Sequence, residues 1–153
     1  MQPARSRAIL AAALLAAPLA PAGACTISSA GVAFGAYNPL ATGHDNSTGS
    51  VRVDCAPSVM APIVALSTGG SGTYSPRRLA GGSFNLDYNL YSNSGRTIIW
   101  GDGTGGTVTV TLSGGSVSGG VRRFTRTIYG RIPRLQNVGA GAYSDTITLT
   151  VTF

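Results

Sequence analysis

Short runs in which apolar and polar residues alternate dominate the chain. Val51, Val53 and Cys55 alternate with Arg52 and Asp54, and Phe84, Leu86, Tyr88 and Leu90 alternate with Asn85, Asp87, Asn89 and Tyr91. Val108, Val110 and Leu112 alternate with Thr107, Thr109 and Thr111. A period of two places one set of side chains on each face of a β-strand. Residues 60–66 form a mostly apolar run around Pro62, residues 97–100 a short β-branched and aromatic one, and residues 121–132 a longer, arginine-bearing one. No window keeps the i, i+3, i+4, i+7 spacing of a helix. Glycine-rich segments at 43–49, 69–72, 81–82, 101–106, 114–120 and 139–141 separate the runs, and such segments serve tight turns and inter-strand loops. The pattern predicts an all-β protein, an antiparallel sandwich of immunoglobulin-like size, with one domain over residues 25–153.

The last run is the most informative. Tyr143, Asp145, Ile147, Leu149, Val151 and Phe153 occupy one face, and Ser144, Thr146, Thr148, Thr150 and Thr152 the other. This spacing predicts a long half-buried strand. No further turn or strand follows Phe153, so one edge of that strand is expected to lack a partner within the chain. An open edge beside an apolar face accepts a strand from another polypeptide.

The first residues read differently. Arg5 and Arg7 precede an Ala/Leu-rich run over residues 9–19, and Ala22-Gly23-Ala24 follows as an A-x-A cleavage site. Residues 1–24 are therefore expected to be an export signal. The apolar run is shorter than the roughly 20 residues a bilayer span needs, and no membrane span is expected in the mature chain. Export places the two cysteines, Cys25 and Cys55, in an oxidising compartment. Two readings follow: a disulfide that closes a loop of about 30 residues and stabilises by roughly 3–4 kcal/mol, or a lipidated Cys25 that anchors an outer-membrane lipoprotein.

Composition narrows the function. Charged residues make up 10% of the chain, all of them Arg or Asp, with one histidine. Removing Arg5 and Arg7 with the signal lowers the formal net charge of +6 by two. Arg122, Arg123, Arg126, Arg131 and Arg134 interleave with Phe124 and Tyr129, which reads as a solvated strand face rather than a nucleic-acid surface. Gly101-Asp102-Gly103-Thr104-Gly105-Gly106 satisfies G-x-G-x-x-G, but a strand pattern follows it where a phosphate site needs a helix. His44 and Asp45 sit in a polar loop with no nucleophile signature nearby. One histidine and two pairable cysteines make no zinc site. No catalytic residue, cofactor or metal is expected. Asp87, Asp102 and Asp145 are expected to satisfy backbone donors near strand ends, and Trp100 to anchor the core.

Several segments, in this order, resemble the spore coat protein U domain family, which includes subunits of archaic chaperone–usher pili. They are Cys25-Thr26-Ile27, residues 32–40 (VAFGAYNPL), Val51-Arg52-Val53-Asp54-Cys55, residues 86–91 (LDYNLY), Trp100-Gly101-Asp102-Gly103, Tyr129-Gly130-Arg131-Ile132, and residues 141–146 (GAYSDT) leading into the last strand. The resemblance implies an incomplete immunoglobulin-like antiparallel β-sandwich lacking its final strand, with Cys25 and Cys55 as its disulfide. It further implies a structural or adhesive fibre subunit of the cell surface or a biofilm. Its partners would be a periplasmic pilus chaperone, an outer-membrane usher and neighbouring subunits that donate a strand. Tyr143, Ile147, Leu149, Val151 and Phe153 would border the acceptor groove. Shaft subunits of the family donate a segment that precedes the first cysteine. A cleavage site abutting Cys25 leaves none, so the expected role is strand acceptor, at a fibre tip. The competing expectation is a stand-alone secreted or coat-layer protein whose sheet is completed by its own 121–132 region.

Overall fold

The structure is a computed structural model and describes residues 25–153; the expected export signal, residues 1–24, lies outside them. The described residues form nine strands: β1 (Thr26–Ala30), β2 (Asp45–Cys55), β3 (Ile63–Leu66), β4 (Arg77–Gly81), β5 (Phe84–Tyr91), β6 (Val110–Thr111), β7 (Ser116–Ser118), β8 (Val121–Ile132) and β9 (Leu149–Thr152). A single 3-10 turn at Gly69–Ser71 interrupts them. The larger sheet runs β1-β2-β8-β5-β4, with β7 also paired to β8; the smaller runs β6-β3-β9. All the ladders are antiparallel. The all-β sandwich read from the alternation is the fold observed.

The inward sets of the alternating runs make the core. Val51 and Val53 of β2, Leu86, Tyr88 and Leu90 of β5, and Phe124, Ile128 and Ile132 of β8 face Val64 and Leu66 of β3, Val110 of β6, and Leu112. Trp100 is the largest fully buried side chain, and its indole N–H donates to the Val64 carbonyl at 3.0 Å. It is the anchor the sequence suggested. Gly119 and Gly120 have φ of +57° and +76°. That combination closes the two-residue β7–β8 hairpin in the turn whose twist suits antiparallel strands.

Three expectations need correction, and one strand carries no signal in the sequence. Residues 45–49, read as part of a polar loop, extend β2, because Asp45 to Gly49 pair with Ile132 to Ile128 of β8. Ladder bonds are indifferent to side-chain polarity, so a polar strand end leaves no hydrophobic signal. The run at 107–112 contributes only Val110 and Thr111 to the ladder. The terminal run forms a ladder only over Leu149–Thr152, while residues 143–148 stay extended with one bridge, Ser144 to Ala80. β4 was not foreseen at all. Its first residue, Arg77, is fully buried. The Arg77 guanidinium donates to the carbonyls of Ser67 and Trp100 and to Asn89 Oδ1 at 2.7–3.0 Å, and lies 5.0 Å from the Tyr74 ring centre.

Candidate functional site: an open groove between the sheets

The groove follows from which strand edges are paired. Ser144 exchanges both backbone bonds with Ala80, and the Thr148 carbonyl accepts from Ser67 N–H at 2.9 Å. Peptide groups of a strand point alternately to its two edges. Ser144, Thr148, Thr150 and Thr152 of the terminal segment therefore bond toward β4 and β3. The N–H and C=O groups of Tyr143, Asp145, Ile147, Leu149 and Val151 point to the opposite edge, where no strand of the described residues pairs. β1 likewise pairs only with β2. All five of its residues are exposed, Ile27 included at 46%. Two strand edges thus border one opening between the sheets.

The opening reaches the core. One cleft of about 220 Å³ lies between residues 29–34 and 145–149, and its floor is Leu66, Tyr88, Leu90 and Ile128. A second cleft of about 730 Å³ continues it between residues 32–39 and 138–145, over Leu79, Leu86 and Ile132. Val32, Phe34, Leu79 and Asp145 line both clefts, so the two are parts of one groove. Val32 and Phe34 reach their places because Gly130 of β8 has no side chain. A Cβ there would sit 2.5 Å from Val32 Cγ1 and 2.7 Å from Phe34 Cζ.

Of the residues expected at the groove, Tyr143, Ile147 and Leu149 line it, and Val151 packs against the core beside it. Each is half-buried instead of buried, as an inward residue under an open roof should be. Phe153 departs from the expectation. It lies beyond the last ladder pair, Thr152 with Ile63, and is 62% exposed. The alternation alone could not show that pairing stops one residue earlier.

Asp145 is expected to satisfy backbone donors, and it does so where the two clefts meet. Gly70 N–H and Thr146 N–H donate to its Oδ1 at 2.8 Å, and the Tyr88 hydroxyl donates to its Oδ2 at 2.7 Å. The carboxylate thereby ties the 3-10 turn, β5 and the terminal segment together. Burial, and then the bond to Asp145, hold the Tyr88 phenol well above the usual tyrosine range. Asp102 accepts from the N–H and hydroxyl of Thr104 within the glycine-rich loop. That loop leads to Val108 and β6 rather than to a helix. His44 is exposed and accepts from the Arg134 N–H.

Cys25 and Cys55 are joined by a disulfide, with an S–S distance of 2.00 Å. The bond closes the end of β1 onto β2 and leaves no thiol at Cys25 to carry a lipid. Residues 121–132, which might have completed the sheet from within, lie as β8 between β2 and β5. They do not reach the groove's open edges.

A family model described as the Spore Coat Protein U domain matches residues 11–150. The chain is 35% identical to Protein U of Myxococcus xanthus over 148 residues, covering 86% of this chain and 78% of that one. Its fold is similar to a chain in the crystal structure of the CsuC–CsuE chaperone–tip adhesion subunit pre-assembly complex, from archaic chaperone–usher Csu pili of Acinetobacter baumannii. That superposition has a TM-score of 0.63 at 22% identity, over 86% of this chain and 40% of the other. The chain thus spans less than half of that solved chain, and the likeness is one of fold.

Proposed function

Because the chain belongs to the Spore Coat Protein U domain family, we propose that it is an exported, non-enzymatic pilus-type subunit whose open groove accepts an extended strand from another polypeptide. One observation carries the reading: two unpaired strand edges flank a groove whose floor is the hydrophobic core itself. An entering strand bonds its backbone to the peptide groups of Tyr143 to Val151 along one side and to β1 along the other. Its alternate side chains descend into the two clefts, and that alternation fixes its register. Each buried aliphatic side chain contributes about 1.5–3 kcal/mol. Two or three of them, with the ladder bonds, suffice for a stable complex.

Assembly then has an order. A periplasmic chaperone supplies the first strand and keeps the exposed core from aggregating. An outer-membrane usher exchanges it for a strand of a neighbouring subunit. Cleavage after Ala24 leaves this subunit an acceptor with no segment to donate, which suits the tip of a fibre; N-terminal sequencing of the exported protein tests that point.

Co-expression with a candidate periplasmic chaperone tests the main reading. The expected result is a one-to-one complex that survives purification and is lost in Ile147→Arg, which sets a charge in the smaller cleft. A stable monomer of the full chain that binds no strand peptide would overturn it.

A further inference from the structure

The larger sheet has a second interruption, on the side of β8 away from β2. Trp100 N–H donates to the Leu90 carbonyl and Ser92 N–H to the Ile98 carbonyl. The even-numbered residues of β5 therefore face away from β8, while Asn89 and Tyr91 face it, opposite Arg131 and Tyr129. By the same alternation the peptide groups of Thr125 and Thr127 point to this edge. β5 turns away at Asn93, where Arg96 N–H closes a turn on the Asn93 carbonyl, and β7 pairs with β8 only from Arg123 back to Val121. Between the two, the N–H and C=O groups of Thr125 and Thr127 have no backbone partner among the described residues. They open into a cleft of about 390 Å³ bordered by Ser92, Asn93 and Ser94.

The chemistry of this notch is unlike that of the groove. Its lining is hydroxyl, amide and peptide, with Arg126 and Tyr129 and no carboxylate. Arg126 is exposed, and among the described residues its guanidinium makes one hydrogen bond, to the Ser92 carbonyl at 3.3 Å. It forms no ion pair among the described residues. We propose that the notch binds an acidic saccharide, one whose sugar rings carry carboxylates. Sugar hydroxyls both donate and accept, which suits a row of alternating N–H and C=O groups flanked by serine hydroxyls. The sugar carboxylate pairs with the Arg126 guanidinium, the group best shaped to take it two-pronged. The paired residues flanking the notch, Arg123 and Tyr129, are about 20 Å apart along an extended strand, the length of a short oligosaccharide. A peptide strand fits less well. It would find ladder partners only at Thr125 and Thr127, with no apolar pocket for its side chains. This site is on another strand edge from the groove and does not depend on what fills that groove.

The test is a titration of the full chain with an oligogalacturonate, with its carboxyl-reduced neutral counterpart as control, read by calorimetry and by amide ¹H–¹⁵N shifts. The expected result is binding of the acidic oligomer alone, weakening as salt rises, with the largest shifts at Thr125 and Thr127. Arg126→Gln should weaken it roughly tenfold or more, and Arg78→Gln, which removes the same charge elsewhere, should leave it unchanged. Equal binding of the neutral oligomer, an unaltered Arg126→Gln, or shifts confined to other residues would overturn the proposal. So would displacement of the oligosaccharide by an extended aspartate-bearing peptide that bonds the same two amides, since the notch would then be a strand site.

Discussion

Arg77 shows how far one side chain can depart from its sequence context. It stands next to exposed Arg78 in a stretch that reads as polar, yet it is fully buried, and its partners are carbonyls and an amide instead of a carboxylate. A buried cation is tolerated when each donor is satisfied, and here the acceptors are main-chain atoms that no sequence pattern advertises. Arg77→Met should leave the Trp100 and Ser67 carbonyls buried without a donor and cost about 3 kcal/mol, measured as a shift in the urea midpoint. Tyr88 makes a second case, with a sign that can be worked out. Its phenol is held protonated in the folded state, so the unfolded chain releases that proton first as pH rises past the ordinary value near 10. The stability it contributes is fully present below that value and is lost as pH climbs through the higher folded one. The wild type should therefore weaken above about pH 10, and Tyr88→Phe, less stable at neutral pH, should show a flatter alkaline limb.

At the level of elements, legibility followed hydrophobic contrast. β5 and the apolar half of β2 alternate strongly and are legible as strands, and β8 is legible as the longer arginine-bearing run. The polar half of β2 and β4 were invisible, because their pairing is decided by neighbours far away in sequence. The residues 31–37 that wall the groove carry no period at all. They are held by contact with a bare patch of β8 at Gly130. Gly130→Ala should push Val32 and Phe34 aside, cost about 1–3 kcal/mol, and lower the affinity for a strand peptide more than a distant change of equal cost. β1 buries no side chain, so its ladder to β2 and the Cys25–Cys55 bond are what keep it in place. The double change Cys25→Ser with Cys55→Ser should lower stability by roughly 3–4 kcal/mol. Amide exchange should then show β1 opening before any other strand.

For the molecule as a whole, the alternation of the last run points to an open strand edge, and the resemblance to a known family adds which strand of the sandwich is missing. The structure adds the dimensions of the opening and the identity of its floor. A protein whose core is partly uncovered should gain stability from whatever covers it, in proportion to the logarithm of ligand concentration. A synthetic strand of alternating apolar residues, supplied at a hundred times its dissociation constant, should raise the unfolding free energy by about 2.7 kcal/mol. A scrambled peptide without the alternation should not, and thermal melts of the two mixtures make the comparison.

The groove's two sides come from opposite ends of the described residues, 26–37 and 138–151. A chain that crosses a membrane N-terminus first brings out residues 26–37 long before residues 138–151. Under the proposed export, the opening cannot form before residues 138–151 have emerged, and a strand has nothing to enter before then. A copy cut short after Thr146 would not bind more weakly in proportion to its loss. It would lack Ile147 and Leu149, one side of the smaller cleft, so an entering strand would find only one edge to bond there.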